Sequence, residues 1–222
     1  MRHRTTLFCA ALLIASAAVA SASQDDRFDE AAVSNRVFSL LPALASSKVA
    51  EEFWAVSELK DLTHLKSNAP DAFVVAEQHM LYALRLSMFG PDESNRALAG
   101  ELLSLLAEIG SDVSLSFLVE NVSLIARPDS DPRDSPMFST LERFGPRMVE
   151  GVLQRAVVED DESVHAVLAA LLVAESEVTG ALEWIKAVAR RGTWDDAQLK
   201  RLEVVWAMIW RTGESGKALQ SQ

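Results

Sequence analysis

LAEIGSDVSLSFLVENV, from Leu106 to Val122, and LERFGPRMVEGVLQRAV, from Leu141 to Val157, align on each other at an offset of 35 residues. Leu106 then meets Leu141, Ile109 meets Phe144 and Gly110 meets Gly145. Beyond the glycine, Val113 meets Met148, Phe117 meets Val152, Leu118 meets Leu153 and Val122 meets Val157. Each stretch reads as the end of one helix, a glycine turn and a second amphipathic helix. Apolar residues recurring at three and four mark a helix. A glycine just after such a run suits the left-handed residue that closes it. A third, poorer copy spans Asp161 to Val173 and Val178 to Val188, without the turn glycine. Its opening, DESVHAVLAALL, echoes DESNRALAGELL at Asp92 to Leu103.

The same periodicity extends in both directions. Val49, Phe53, Val56, Leu59 and Leu62 form one stripe, and Leu199, Leu202, Val205, Trp206, Ile209 and Trp210 another. Sustained period-two alternation is missing and there is one tyrosine, so strand signals are nearly absent. Pro70, Pro136 and Pro146 stand where first helical residues belong, with Ser135 as an N-cap. Gly90, Gly110, Gly145 and Gly213 each close an apolar run. Thr193 with Asp196 resembles a capping box. Helices are predicted over 27–44, 48–66, 70–88, 92–109, 112–126, 137–144, 147–158, 162–174, 177–190 and 194–212. The loop from Arg127 to Ser135 is rich in proline and aspartate and cannot continue a helix. Both ends of the mature chain, Ser23 to Asp26 and Glu214 to Gln222, read as polar and frayed.

The stretch Asp92 to Val122 resembles a HEAT repeat: an acidic start, a helix ending LLAEIG, a short turn and a second helix. A period near 35 falls within helix-pair arrays. The resemblance covers Asp92 to Arg190, about half of the chain, so 91–190 is the HEAT-like region. It implies an all-α fold of stacked antiparallel helix pairs, because one pair cannot bury both of its apolar faces alone. The residues also fit an irregular helical bundle. The first helices, up to residue 88, match by helicity only.

The N-terminus carries an address. Arg2, His3 and Arg4 precede fourteen uncharged residues, Leu7 to Ala20, and small residues follow. Two A-x-A sites place cleavage near Ala20 or Ala22, so 1–22 reads as a secretory signal and 23–222 as the helical domain. Fourteen residues of helix reach about 21 Å, short of the ~30 Å hydrocarbon core. A lipoprotein reading of Cys9 is disfavoured by Phe8 and by the short run before it. The expected location is the periplasm or the exterior. Cys9 is the sole cysteine, so its loss with the signal removes disulfides and thiolate chemistry. The chain has 21 basic and 32 acidic residues, a balance of −11, which deepens to −13 without Arg2 and Arg4. Such acidity disfavours nucleic acid and anionic headgroups. No second apolar stretch approaches eighteen uncharged residues, so no stable membrane insertion is expected after cleavage.

Motifs for chemistry are missing. His64, His79 and His165 have no i, i+4 partner, and there is no H-E-x-x-H. Glu77 and His79 are two apart and diverge by about 200° on a helix. Asp129, Asp131 and Asp134 lack the glycine and glutamate of a calcium loop. The acids Glu159 to Glu162 suit a helix N-terminus. No nucleophile or phosphate-loop motif occurs. Glu93-Ser94 and Glu175-Ser176 match one dipeptide of lytic transglycosylases, but the Gly-Leu-Met-Gln motif is absent. No catalytic, cofactor or metal residue is therefore assigned, and no cofactor is expected. Trp206 and Trp210, i and i+4 on the last helix, are the candidate binding residues, with Arg190, Arg191, Lys200, Arg201 and Arg211 around them.

The expected function is a non-enzymatic, exported protein–protein or peptide interaction module. The alternatives are a helical enzyme or small-ligand binder, in which Glu77, His79 or His165 would converge on a pocket, and a homo-oligomer built through the C-terminal aromatic helix.

Overall fold

The computed structural model describes residues 30–46, 48–88, 93–126 and 131–220. The export signal predicted over 1–22 lies outside them, as do Gly90, Asp92 and the first part of the 127–135 loop. Among the described residues the fold is all-α, with packed antiparallel helices and no strand. The helices are α1 (Glu30–Leu44), α2 (Val49–Leu62), α3 (Pro70–Met88), α4 (Glu93–Ile109), α5 (Asp112–Glu120), α6 (Pro136–Glu142), α7 (Arg147–Val158), α8 (Glu162–Arg191) and α9 (Asp196–Gln220). Single 3-10 turns at Thr63–Leu65, Val122–Leu124 and Pro132–Asp134 extend or join them.

Packing sorts the helices into two rows. α1 packs on α3, α3 on α5 and α5 on α7. Behind them α2 packs on α4, α4 on α6 and α6 on α8. Across the rows α1 pairs with α2, α3 with α4, α5 with α6 and α7 with α8, while α9 closes on α7 and α8. α4 shows why. Leu98, Ala99, Leu102, Leu103, Leu105 and Leu106 are all buried, a stripe wider than one neighbour covers. α2, α3 and α6 share it.

The two aligned stretches occupy matching places. Gly110 and Gly145 have φ of +65° and +57°, the left-handed conformation a helix end needs and a Cβ opposes. Leu106 and Leu141, Leu118 and Leu153, and Val122 and Val157 are buried in both copies. Val113 breaks the match: it is 55% exposed, whereas Met148 is fully buried. The glycine turns join one packed pair to the next, α4 to α5 and α6 to α7, rather than closing a pair.

Pro70 and Pro136 open their helices, and Ser135 Oγ accepts from Met137 N at 3.3 Å. Pro146 falls one residue earlier, at the N-cap of α7. Two predicted features are corrected. The capping box of α9 is Asp195 with Gln198: Gln198 N donates to Asp195 Oδ1 at 2.8 Å, and Asp195 N donates to Gln198 Oε1 at 3.1 Å. Thr193 is displaced because Trp194 folds back to donate Nε1–H to Val188 O at 2.9 Å. Gly213 does not end α9, which runs to Gln220. Instead α9 passes so close to α8 there that a Cβ on Gly213 would stand 2.9 Å from Val178 Cγ1.

α8 is broken at Glu177, which has φ 59° and ψ 177°. The two arms, 162–176 and 178–191, match the two helices predicted for this region. By length and composition α8 could cross a membrane, yet 44% of its apolar stretch is buried against the other helices. A side chain at this φ and ψ is strained, since the region is essentially reserved for glycine, at about 1–3 kcal/mol per residue. Glu177→Gly should therefore raise stability by about 1 kcal/mol after glycine's own entropic cost. Glu177→Ala, which keeps the Cβ, should give no such gain in thermal unfolding.

Glu52 carries a second strain, of charge. It lies buried in α2, and burial pushes its carboxyl above the ordinary glutamate range. A raised acid pKa means that the folded chain holds its proton more tightly than the unfolded one. Its penalty is present above that raised pKa and fades as pH falls through it. Glu52→Gln should stabilise by of the order of 1 kcal/mol at pH 7 to 8. The gain should shrink in urea unfolding as pH drops into the carboxylate range, and a constant gain would contradict this origin.

Candidate functional site

Glu77, His79 and His165 do not converge. Glu77 on α3 is buried beneath the start of α5, where its Oε1 accepts from the hydroxyls of Ser111 and Ser114. Ser111 is also the N-cap of α5, its Oγ accepting from Ser114 N at 3.1 Å. The carboxylate thus lies against a helix N-terminus, whose partial positive charge favours an anion. His79 lines a shallow cavity of about 280 Å³ with Ala45, Gln78 and Tyr82. His165 is buried in the second turn of α8, beside a cleft of about 440 Å³ that Lys200 and Arg201 of α9 also line. Its Nε2 makes no hydrogen bond. Among the described residues no group of three His, Cys, Asp or Glu stands together as a metal-ligand set.

Three of the four acids from Glu159 to Glu162 have partners. Glu159 takes Arg155 Nη2 at 2.6 Å and accepts from the backbone of Asp160 and Asp161. Asp161 caps α8 by accepting from Ser163 N at 2.7 Å. Asp160 accepts from Arg201 Nε at 2.7 Å, and that hydrogen bond and charge hold its carboxyl below the ordinary range. Asp131 likewise caps a turn, accepting from Arg133 N at 2.9 Å, while Asp129 lies outside the described residues.

A groove of about 580 Å³ lies between α7 and the second arm of α8. Val149 and Leu153 form one wall, and Trp184, Val188 and Trp194 the other. Glu150, Gln154 and Arg191 supply its polar groups. The volume suits a ligand or a few peptide side chains. Gly192 makes room for the wall: a Cβ there would stand 2.1 Å from the Trp194 ring. The sequence candidates lie elsewhere. Trp206 is half-buried with the Lys186 ammonium 5.2 Å from its ring centroid, and Trp210 stands exposed. Neither lines the groove. The signal for Trp184 and Trp194 was their residue type, with no spacing to join them.

Exposed large apolar side chains fall unevenly. Among the described residues, Trp54 alone is on α2, α4, α6 or α8. Phe38, Val74, Tyr82, Leu86, Val113 and Val158 are on the front row, and Leu199 and Trp210 are on α9. Val74, Tyr82 and Leu86 share a face of α3, spaced eight and four apart.

These features define a class: an all-α protein of antiparallel helices with one exposed apolar row and a tryptophan-walled groove. No family model, no curated protein and no solved structure matches the chain.

The Glu77 site is a structural anchor, and its test is stability. Removing one hydroxyl leaves a buried carboxylate short of a donor, which costs about 1–3 kcal/mol. Ser114→Ala should lower denaturant stability by that amount, and adding Glu77→Gln should recover part of it. Additive losses would show that the two side chains do not act together.

Proposed function

We propose that this chain is an exported, non-enzymatic module that docks a protein or peptide on its front row, α1, α3, α5 and α7. The observation that carries this reading is the distribution of exposed apolar residues. Large exposed apolar side chains concentrated on one side of a fold favour an interaction face there. Here all but one avoid the back row. The α7–α8 groove opens beside the same row and adds two indoles, the residue type most enriched at interface hot spots.

The array reading is supported by the 35-residue offset, the left-handed glycines at Gly110 and Gly145, and neighbour-to-neighbour packing along both rows. HEAT-like solenoids present such a row to partners. Export is supported by the charge, length and small-residue pattern of 1–22. Placing a photo-crosslinking residue at Tyr82 or Val113 in the native envelope should trap one discrete species. The same residue at Ser139, exposed on α6 of the back row, should not. Equal labelling of abundant proteins from both rows would overturn the proposal.

A further inference from the structure

Every interior helix of the two rows has a neighbour on each side. Among the described residues the terminal ones do not: α1 and α2 have no helix packed before them, and the second arm of α8 and α9 have none packed after them. Stacked helix arrays stay soluble by making such ends polar. Both ends of this one keep exposed aromatic surface. Trp54 is 49% exposed on α2, and Trp210 is 52% exposed on α9 with Leu199 at 36%.

The charges at the two ends are opposite. Residues 30–62, covering α1 and α2, carry a net −2. Residues 178–213, covering the second arm and most of α9, carry +2 in a chain whose total is −11. Two identical positive ends would repel, as would two negative ones. A positive end facing a negative end attracts at encounter and selects that orientation. It also brings helices next to helices, as the rows do internally.

We propose that copies of this chain stack head to tail, the α8–α9 end of one seated on the α1–α2 end of the next. The occupant of each exposed end is thus a second copy. Such a contact is heterologous, so it builds a ring or an open stack rather than a closed two-fold dimer. The inference rests on the ends of the array and not on the docking row. It stands or falls separately from the crosslinks at Tyr82 and Val113.

Sedimentation velocity on the protein as processed and purified from its native host tests this. Mean mass should rise with concentration and fall back at high salt, as screening weakens the charge attraction. Trp54→Asp and Trp210→Asp alter exposed positions, and circular dichroism checks that both remain folded. Each variant alone should be monomeric, because every junction needs both ends. Mixed, they should form a one-to-one dimer, through the intact α8–α9 end of Trp54→Asp and the intact α1–α2 end of Trp210→Asp. A wild-type monomer at high concentration would overturn the proposal. So would continued association of Trp54→Asp alone, which would indicate a two-fold contact through α9, or failure of the mixed variants to pair.

Discussion

Most helices in this chain have more apolar surface than one partner can cover, and that constraint sets the architecture. α4 buries six residues over nearly half of its circumference, so it needs α2, α3 and α6 together. The same holds along both rows, and the core is therefore continuous from Val33 to Ile209. With Cys9 as the only cysteine there is no internal disulfide to share the load. Stability comes from packing between near neighbours in sequence, which keeps loop-closure costs low.

Close packing of short, tightly turned helices creates a second requirement: the last carbonyls of each helix still need donors. Cations from other elements meet much of it. Lys66 Nζ donates to Glu108 O and Ile109 O at 2.8 and 3.1 Å, and Arg147 Nη1 donates to Gly110 O at 2.6 Å. Arg201 likewise reaches Val157 O at 3.1 Å. Each puts positive charge where the helix dipole is negative. Arg147 also pairs with Asp112 at 2.5 Å, tying two successive glycine turns together. Several of the 21 basic residues are thus spent on helix ends and turns, which leaves the acidic majority to face solvent.

Local signals were legible in the sequence. Helix periodicity, Pro70, Pro136, Ser135 and the left-handed Gly110 and Gly145 depend on a few adjacent residues, and each stands as expected. What depended on distant residues was not legible. The capping box slid from Thr193 to Asp195 because Trp194 found a carbonyl on the previous helix. Gly213 read as a helix end because only its contact with Val178 reveals the close approach. Trp206 and Trp210 stood out by spacing, yet the groove is walled by Trp184 and Trp194, which come together because Trp194 folds back onto the end of α8. Glu77 looked like a chemical group until α5 supplied two hydroxyls and a helix N-terminus.

The bend in α8 shows how packing overrides local preference. A positive-φ residue is needed where α8 bends, and Gly180 lies only three residues from the break, yet Glu177 takes the strained conformation. The space inside the turn explains the choice. A Cβ on Gly180 would stand 2.7 Å from Ser176 Cβ, so the glycine is used for clearance. The first arm reaches the start of α7, with the Glu175 carboxylate 3.9 Å from where a Cβ on Gly145 would sit. A straight continuation beyond that point would run off the end of α7 with its apolar face in water. The bend at residue 177 instead lays Trp184 and Val188 beside Val149 and Leu153 and sets Val178 against Gly213. The burial recovered by the second arm and α9 exceeds about 1–3 kcal/mol of backbone strain several times over, since each fully buried Leu or Ile side chain contributes about 1.5–3 kcal/mol. Strain at Glu177 is therefore the local consequence of where α7 begins, and the groove forms because the chain bends there.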